Sequence, residues 1–563
     1  MPNMTQGLKH DDIIYSTSTS DSSLPDESTG LLPLQEGSDS VTSLATATST
    51  IMSSSTLQSA RRLLYVSHFF NQFSECTWQF CLVLFLAAFS NYQSLILVTS
   101  YGLVSYSFVC AFGSTAGRFV DCANRLQVAR QFIGFENCAV VLATILCYML
   151  LSKKELLQSS TEVQKESLSD WKGIPTDPSS VLLLVGIHLL GSIAALLDSG
   201  FRVAVERDWI VVMSSCSIHL ASGNPSLEDE LAAQKVWLSD TNVNMRQIDL
   251  SCKVAAPAVA GFFIAFFDDG SGRDHGYDLR GAALLVGGLN AISLAVEWIC
   301  TRKIYYDIPD LALKAEKSND EDATLVESHT KSGGNNTEVC VQGRGRRCLG
   351  MTIPNGLEVY FSQPICWAGV SLALLYLNVV LTFGGIMTAY LVWRGMNMET
   401  IGTWRGVSSA AGLAGTFVYH LMAKTTDLVN IGMVSVVLQF LCLTSCYVSL
   451  YVDNDSISYA LLIAGVCFSR IGLWVFDIAV TQLMQEHVPA PIRGLVGGVQ
   501  QSLNAFFTLV AYSVGLFISD PKDFYIYAST AYAGVALAAL FYARNVYVKK
   551  STLFPTKFDD LQN

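Results

Sequence analysis

Asn71, Gln72, Glu75 and Gln79 stand inside a stretch that is otherwise apolar from about residue 63 to 89. They occupy positions i, i+1, i+4 and i+8, so a helix brings three of them onto one face. A charge in the interior of a bilayer costs about 2.5 to 3.5 kcal/mol on insertion scales. Glu75 has no Lys or Arg three or four positions away on either side. Two readings are open. Glu75 is either a protonated or hydrogen-bonded residue that ties helices together, or a carboxylate that faces a watery cavity and holds a hard cation through oxygen. The second makes a transport site, and we carry it forward. Asp249 opens another apolar run with Arg246 three residues before it and Lys253 four after, so either base can neutralise it. Asn290 lies mid-run among Leu, Val, Ala and Ile, where its amide oxygen suits a neighbouring helix or a cation's shell equally. Glu136 and Asn137 pose the same choice.

In the second half of the chain, Arg470 and Asp477 are seven residues apart, two helical turns on one face. Gln500 and Asn504 are spaced i, i+4 and are expected to look into the same interior. The residue types for softer metal chemistry are missing: there is no Cys-x-x-Cys, no His pair at helical spacing and no zincin motif. Of the fifteen cysteines, Cys81, Cys110, Cys138, Cys147, Cys300, Cys442 and Cys467 fall inside apolar runs and read as small core residues. No catalytic constellation is visible, and an enzyme is not expected.

The elements that must carry these groups are membrane helices. Of the 563 residues 51% are apolar and 15% charged, with a mean hydropathy of +0.38, against about 25% charged in a soluble chain. Twelve stretches of about 20 or more largely apolar residues can cross some 30 Å of hydrocarbon. They lie near 63–89, 93–116, 127–151, 180–203, 248–267, 280–301, 365–392, 400–422, 429–451, 457–483, 493–518 and 524–547. The expected organisation is a disordered cytosolic tail (1–60), a six-helix bundle (61–303), a mostly disordered cytosolic linker (304–364), a second six-helix bundle (365–548) and a short cytosolic tail (549–563). Arg61, Arg62, Arg118, Arg125, Arg130, Arg302, Lys303, Arg544, Lys549 and Lys550 flank one set of helix ends and put both termini in the cytosol. Lys153, Lys154, Lys165 and Lys172 sit on the far side, against that trend. A net charge of −12 argues against a nucleic-acid partner. Glu27 to Leu32 resembles an acidic dileucine signal that sorting adaptors read, and Asn454-Asp455-Ser456 is a far-side glycosylation sequon.

Two six-helix halves joined by a cytosolic loop is the plan of the major facilitators. Gly117, Asp121 and Arg125 form a Gly-x-x-x-Asp-x-x-x-Arg run that resembles the gating loop of those proteins, where a salt bridge closes the inner side. Five blocks together resemble ferroportins, solute carrier family 40. They are Leu64-Tyr65-Val66-Ser67-His68 leading to Trp78 and Phe80; Glu206-Arg207-Asp208-Trp209-Ile210-Val211-Val212; Asn244-Met245-Arg246-Gln247-Ile248-Asp249; Ser469 through Asp477; and Arg493 through Gln500. The resemblance runs from about 62 to 548. Val370 to Tyr376 and Gly384 to Tyr390 look closer to the plant-type branch.

The resemblance implies an all-α major-facilitator fold that exports ferrous iron, in some members cobalt or nickel, from the cytosol by alternating access. It implies a metal site at Glu75, Asp249 and Asn290, with gating by Asp121, Arg125, Arg470 and Asp477. Fe2+ is then the transported substrate and no cofactor is expected. The animal pattern has Asp where this chain has Glu75, one methylene longer. Where vertebrate members carry a cysteine and a histidine in the second half, this chain has Gly385 and Ala511, so a second site is absent or rebuilt from Thr382, Gln500 and Asn504. Plasma membrane and vacuolar membrane both fit. The competing readings are a transporter of an organic cation or metal chelate, and a non-transporting receptor or scaffold.

Overall fold

The computed structural model describes residues 54–89, 96–160, 177–216, 227–267, 279–313, 353–379, 381–383, 385–517 and 523–553. The dileucine-like run at 27–32, most of the expected tail and linker, and the loop at 268–270 lie outside the described residues.

The amino-terminal bundle consists of α1 (Ser54–Phe89), α2 (Ile96–Cys122), α3 (Arg125–Ser160), α4 (Pro178–Arg202), α5 (Ile210–Cys216), α6 (Leu227–Phe267) and α7 (Arg280–Asp307). The carboxy-terminal bundle follows with α8 (Ile353–Phe361), α9 (Cys366–Leu374), α10 (Gly385–Trp393), α11 (Met398–Met422), α12 (Leu428–Ser449), α13 (Asp455–His487), α14 (Arg493–Phe517) and α15 (Phe524–Leu553). Among the described residues, nine helices have the length and apolarity to cross a bilayer. Two more, α11 and α14, have 25 residues each, about 37 Å at 1.5 Å per residue. They are more polar because α11 carries Glu399, Arg405 and His420, and α14 carries Gln500, Gln501 and Asn504.

Apolar side chains point outward. Phe135, Leu142 and Met149, seven residues apart on α3, are half or more exposed, as are Phe262 and Phe266 on α6. Asn71, Gln72, Glu75, Glu136 and Asn137 are buried. This inversion of the soluble pattern is what a hydrocarbon solvent demands.

Several boundaries depart from the hydropathy reading. The first helix starts at Ser54 because Leu57 and Ala60 pack with Leu64 against Val128, Ala129, Trp209 and Ile304. The fifth span is part of a much longer helix, α6, whose polar half from Leu227 to Asp249 extends beyond the apolar run. Within the expected linker, α7 continues to Asp307, a 3-10 turn spans Pro309–Leu311, and α8 forms at Ile353–Phe361, seated by the buried Tyr360.

The seventh span, expected as one helix over 365–392, is broken. Helix α9 tightens into a 3-10 turn at Leu375–Val379, residues 381–383 are non-helical, and α10 restarts at Gly385. Val379, Val380 and Thr382 beside Gly384 and Gly385 are weak helix formers, which explains the place of the break. The carbonyl freed at Leu381 accepts from Arg470 Nη2 at 3.2 Å, so the exposed backbone is satisfied inside the bundle.

Helix α4 is also irregular. Asp177 caps its start, accepting from the Ser180 amide at 2.8 Å, and after Arg202 it widens into a π-helical turn at Val203–Trp209 before α5. Glu206, Arg207 and Asp208 are all buried in that turn.

The two bundles meet along α2 and α14 at glycines. A Cβ added at Gly117 would lie 2.1 Å from the Gly494 carbonyl oxygen, and one at Gly498 would lie 2.3 Å from that of Gly113. Only glycine permits backbones this close.

Candidate functional site

Glu75 lies on α1 and is buried, and its carboxylate accepts from Gln79 Nε2 at 2.7 Å. That bond runs along its own helix, so Glu75 does not tie α1 to a neighbour by hydrogen bonding. Asp198 and Arg202 of α4 are close enough to act on it electrostatically. Deeper in the bundle, Glu136 accepts from Asn71 Nδ2 at 3.3 Å and Glu297 from the Ser293 hydroxyl at 2.6 Å. Glu136 Oε2, Glu297 Oε2 and Asp198 Oδ1 have no hydrogen-bond partner. The amino bundle thus gathers four acids from α1, α3, α4 and α7 away from solvent.

Asp249 is 2% exposed, and its two oxygens are committed. Oδ1 lies 2.6 Å from His68 Nε2 on α1; Oδ2 lies 2.6 Å from Arg246 Nη1 and 3.8 Å from Arg202 Nη2. Of the two bases that sequence spacing offered, Arg246 takes the pair, while Lys253 stacks over the Trp474 ring at 4.9 Å. A pocket of about 10 Å³ beside it, lined by Glu206, Asn242, Arg246, Asp249 and Thr481, has room for one water.

Asn290 is buried on α7 and donates from Nδ2 to the Val286 carbonyl at 2.9 Å. Glu75, Asp249 and Asn290 are not joined to one another by a hydrogen bond or ion pair. Arg202 comes between the two acids, reaching Asp249 directly and Glu75 through its field. Among the described residues, no three His, Cys, Asp or Glu side chains converge closely enough to hold a metal in this conformation. What the arrangement does supply is oxygen donors, buried in one bundle and balanced by Arg202 and Arg246.

The gating candidates separate. Asp121 accepts the backbone amides of Gly494 and Leu495 at 2.7 and 2.6 Å, so an α2 carboxylate caps the amino end of α14 in the other bundle. Arg125 pairs two-pronged with Asp208 of the π turn at 2.6 and 2.9 Å and donates to the Leu311 carbonyl at 3.1 Å. The two motif residues therefore serve different partners rather than one shared bridge. Asp477 pairs across the bundles with Arg246 Nη2 at 2.7 Å. Arg470, two turns away on the same helix as Asp477, braces the broken helix at Leu381. Further cross-bundle bonds lie at the same end: Arg207 Nη1 to the Thr481 carbonyl at 3.1 Å, Asn242 Nδ2 to Gln485 Oε1 at 2.6 Å, and Gln485 Nε2 to the Glu206 carbonyl at 2.6 Å. The end of the molecule that carries Ser54 is thereby latched shut.

In the carboxy-terminal bundle, Gln500 accepts from the Tyr360 hydroxyl at 2.6 Å and donates to Gly369 O at 3.0 Å and Asn504 Oδ1 at 2.9 Å. Its amide is fully used. Thr382 lies in the non-helical break and is partly buried. Asn454, the sequon asparagine, is the N-cap of α13 and accepts from the Ile457 amide at 3.2 Å.

His68, Asp198, Arg202 and Glu297 were not picked out from the sequence. Asp198, Arg202 and Glu297 were visible by the same rule that selected Glu75, a charge within an apolar run, whereas only the fold brings His68 to Asp249.

Comparison with known proteins agrees with this architecture. The family model described as Ferroportin1 (FPN1) matches residues 58–229 and 231–535. Solute carrier family 40 member 1 of Oryza sativa subsp. japonica is 32% identical over 498 residues, covering 88% of this chain and 92% of its own length. A crystal structure of a bacterial homologue of the iron transporter ferroportin in an outward-facing state aligns with a TM-score of 0.63 at 19% identity, covering 87% of this chain and 99% of that one. The major-facilitator proton:xylose symporter XylE aligns at 0.53 with 11% identity, covering 86% and 96%. With its all-α major-facilitator fold and a family match across both bundles, the chain is a multi-pass membrane protein that belongs to the ferroportin family, solute carrier family 40.

Proposed function

We propose that this chain exports Fe2+, and with it Co2+ or Ni2+, from the cytosol by alternating access, through a site in the amino-terminal bundle built on Glu75, Asp249 and Asn290. The observation that carries this is the pair of buried acids, Glu75 on α1 and Asp249 on α6, balanced by side chains of α1, α4 and α6 rather than sealed in hydrocarbon. Carboxylate and amide oxygens bind a hard dication weakly enough to release it. The bacterial homologue of the iron transporter ferroportin, whose structure has also been determined with soaked iron, supports iron as the cargo.

In this mechanism the cross-bundle latch of Asp121, Arg246 and Asp477 closes the cytosolic end, Arg125 gates by anchoring the π turn behind it, and both termini lie on that side. Opening it exposes the acids. Fe2+ then sheds part of its water onto Glu75, Asp249 and Asn290, and rocking of the bundles returns the latch and opens the far side. Because Arg246 bonds Asp249 and Asp477 at once, a cation that takes over Asp249 loosens the same arginine that holds the two bundles together. Site occupancy and latch are thus linked through one side chain.

The test is Fe2+, Co2+ and Ni2+ flux in proteoliposomes holding the full chain. Flux that depends on Glu75 and Asp249 supports the proposal. Equal flux in wild type, Glu75→Ala and Asp249→Ala sinks it. Transport of an organic cation without competition from free metal favours the other transporter reading.

A further inference from the structure

Arg202, a quarter exposed, is held more loosely than Arg125 and Arg246 beside it. Arg125 grips Asp208 at 2.6 and 2.9 Å, and Arg246 holds Asp249 and Asp477 at 2.6 and 2.7 Å. These are short, committed charge pairs. Arg202 docks on nothing so closely. Its Nη2 is 3.5 Å from Glu206 Oε1 and 3.8 Å from Asp249 Oδ2, its Nη1 is 3.5 Å from Gln72 Oε1, and its Nε is buried without a partner. Glu75 and Asp198 also feel its charge. A guanidinium with five donors therefore stands among oxygens from α1, the π turn and α6 at 3.5 to 3.8 Å, in close contact with none of them.

That is the position a bound cation would take. We propose that Arg202 is a tethered stand-in cation: it occupies the oxygen cage of the amino-bundle site, and a dication binds by displacing it. The proposal rests on the metal-site reading given above. Displaced, the side chain has a resting place on its own helix, because Glu206 lies one turn ahead and Asp198 one turn behind. Returning, it pushes the metal out. Exchange of a guanidinium for a dication adds one positive charge to the cage, whereas exchange for Na+ or K+ adds none. Arg202 thereby sets a threshold that only a dication passes. It is a positioning and selectivity residue and does not ligate the metal.

The experiment uses full-length protein in detergent and Co2+ as the probe, with calorimetric titration at fixed pH. A cage filled nine-tenths of the time by its own arginine weakens apparent affinity about tenfold. Arg202→Gln is thus expected to bind Co2+ about tenfold more tightly than wild type. It should also become sensitive to competition by Na+, which leaves wild-type binding unchanged. Arg202→Lys, which keeps a charge in the cage, should stay near wild type on both counts. In proteoliposomes Arg202→Gln should turn over more slowly at saturating Co2+, because nothing expels the ion. If Glu75→Gln weakens Co2+ binding but Arg202→Gln binds no more tightly and gains no Na+ sensitivity, Arg202 is a structural brace and the proposal fails. If Glu75→Gln leaves binding unchanged, the metal site itself is misplaced and the proposal falls with it. Thermal melting of each variant separates these outcomes from misfolding. Should Arg202→Gln melt early, Arg202→Lys decides alone: an unchanged Na+ response upholds the stand-in role and a lost Co2+ response overturns it.

Discussion

Arg246 joins Asp249 on its own helix to Asp477 of the opposite bundle, with contacts of 2.6 and 2.7 Å, and its guanidinium carbon lies over the Trp474 ring, 5.5 Å from the centroid. One side chain is thus the shared partner of the candidate site and of the latch. Removing one member of a buried pair leaves the other charge uncompensated, at a cost of about 3 kcal/mol or more. Arg246→Ala is expected to lower the melting temperature and to open the latched end. A cysteine placed at Thr481, which is buried there, would report opening by faster alkylation. Asp477→Asn should weaken the latch less, and the double variant should be no worse than Arg246→Ala, since both act on one contact. Additive effects would show that the two residues work independently.

Gly117 gives a second, independent handle on the same closure. A methyl group there would sit 2.1 Å from the Gly494 carbonyl oxygen and 2.8 Å from the Gly498 Cα, and both obstacles are backbone. Rotamer changes cannot relieve the clash, so α2 and α14 must separate. Overpacking of this kind costs about 1 to 3 kcal/mol, enough to shift a two-state equilibrium by roughly five- to 150-fold. Gly117→Ala should therefore favour the form open at that end without touching the acids of the site. Co2+ affinity within the open form should be unchanged while net flux falls. Wild-type flux in Gly117→Ala would mean that this glycine contact is not part of the closed gate.

How far the sequence foretold this arrangement depends on the kind of signal. Apolar runs located most of the long helices and their order, because hydrocarbon imposes length and composition on every crossing. They could not give α6 its polar first half or reveal the break at residues 381–383, because neither depends on hydropathy. The former is fixed by cross-bundle partners such as Gln485 and Thr416, bonded to Asn242 and Gln247. The break is stabilised by Arg470, nearly ninety residues later. Glu75 stood out because its charge had no local partner. Asp249 stood out too, but spacing left Arg246 and Lys253 equal, and only the fold shows Arg246 against it and Lys253 over the Trp474 ring. Residues paired through the fold, such as His68 with Asp249, leave no trace in spacing along the chain.

The carboxy-terminal bundle offers a contrast that bears on the number of metal sites. Gln500 has its carbonyl on Tyr360 and its amide on Gly369 and Asn504, and the pair is sealed by α8. Groups already satisfied have little to offer an ion. Gln500→Leu and Asn504→Leu are expected to leave Co2+ affinity unchanged. Each removes a net hydrogen bond or two, and stability should fall by about 1 to 3 kcal/mol as Tyr360 and Gly369 lose Gln500, or Gln500 and Gln501 lose Asn504. A drop in Co2+ stoichiometry in either variant would instead establish a second site there.

Glu75 and Asp249 are both buried acids, yet their neutral variants should behave differently. Asp249 is bonded by His68, Arg246 and Arg202, so Asp249→Asn leaves two guanidinium groups close together with one carboxylate fewer between them. Loss of such a partner costs about 3 to 5 kcal/mol. This variant is expected to melt several degrees lower as well as lose Co2+ binding. Glu75 is bonded only by Gln79 on its own helix. Removing its charge strips no base of its direct partner, so Glu75→Gln should retain the wild-type melting temperature while losing Co2+ binding. Titration calorimetry and melting on the same preparations test the distinction. A destabilised Glu75→Gln with intact metal binding would make Glu75 a structural acid and leave Asp249 as the sole carboxylate of the site.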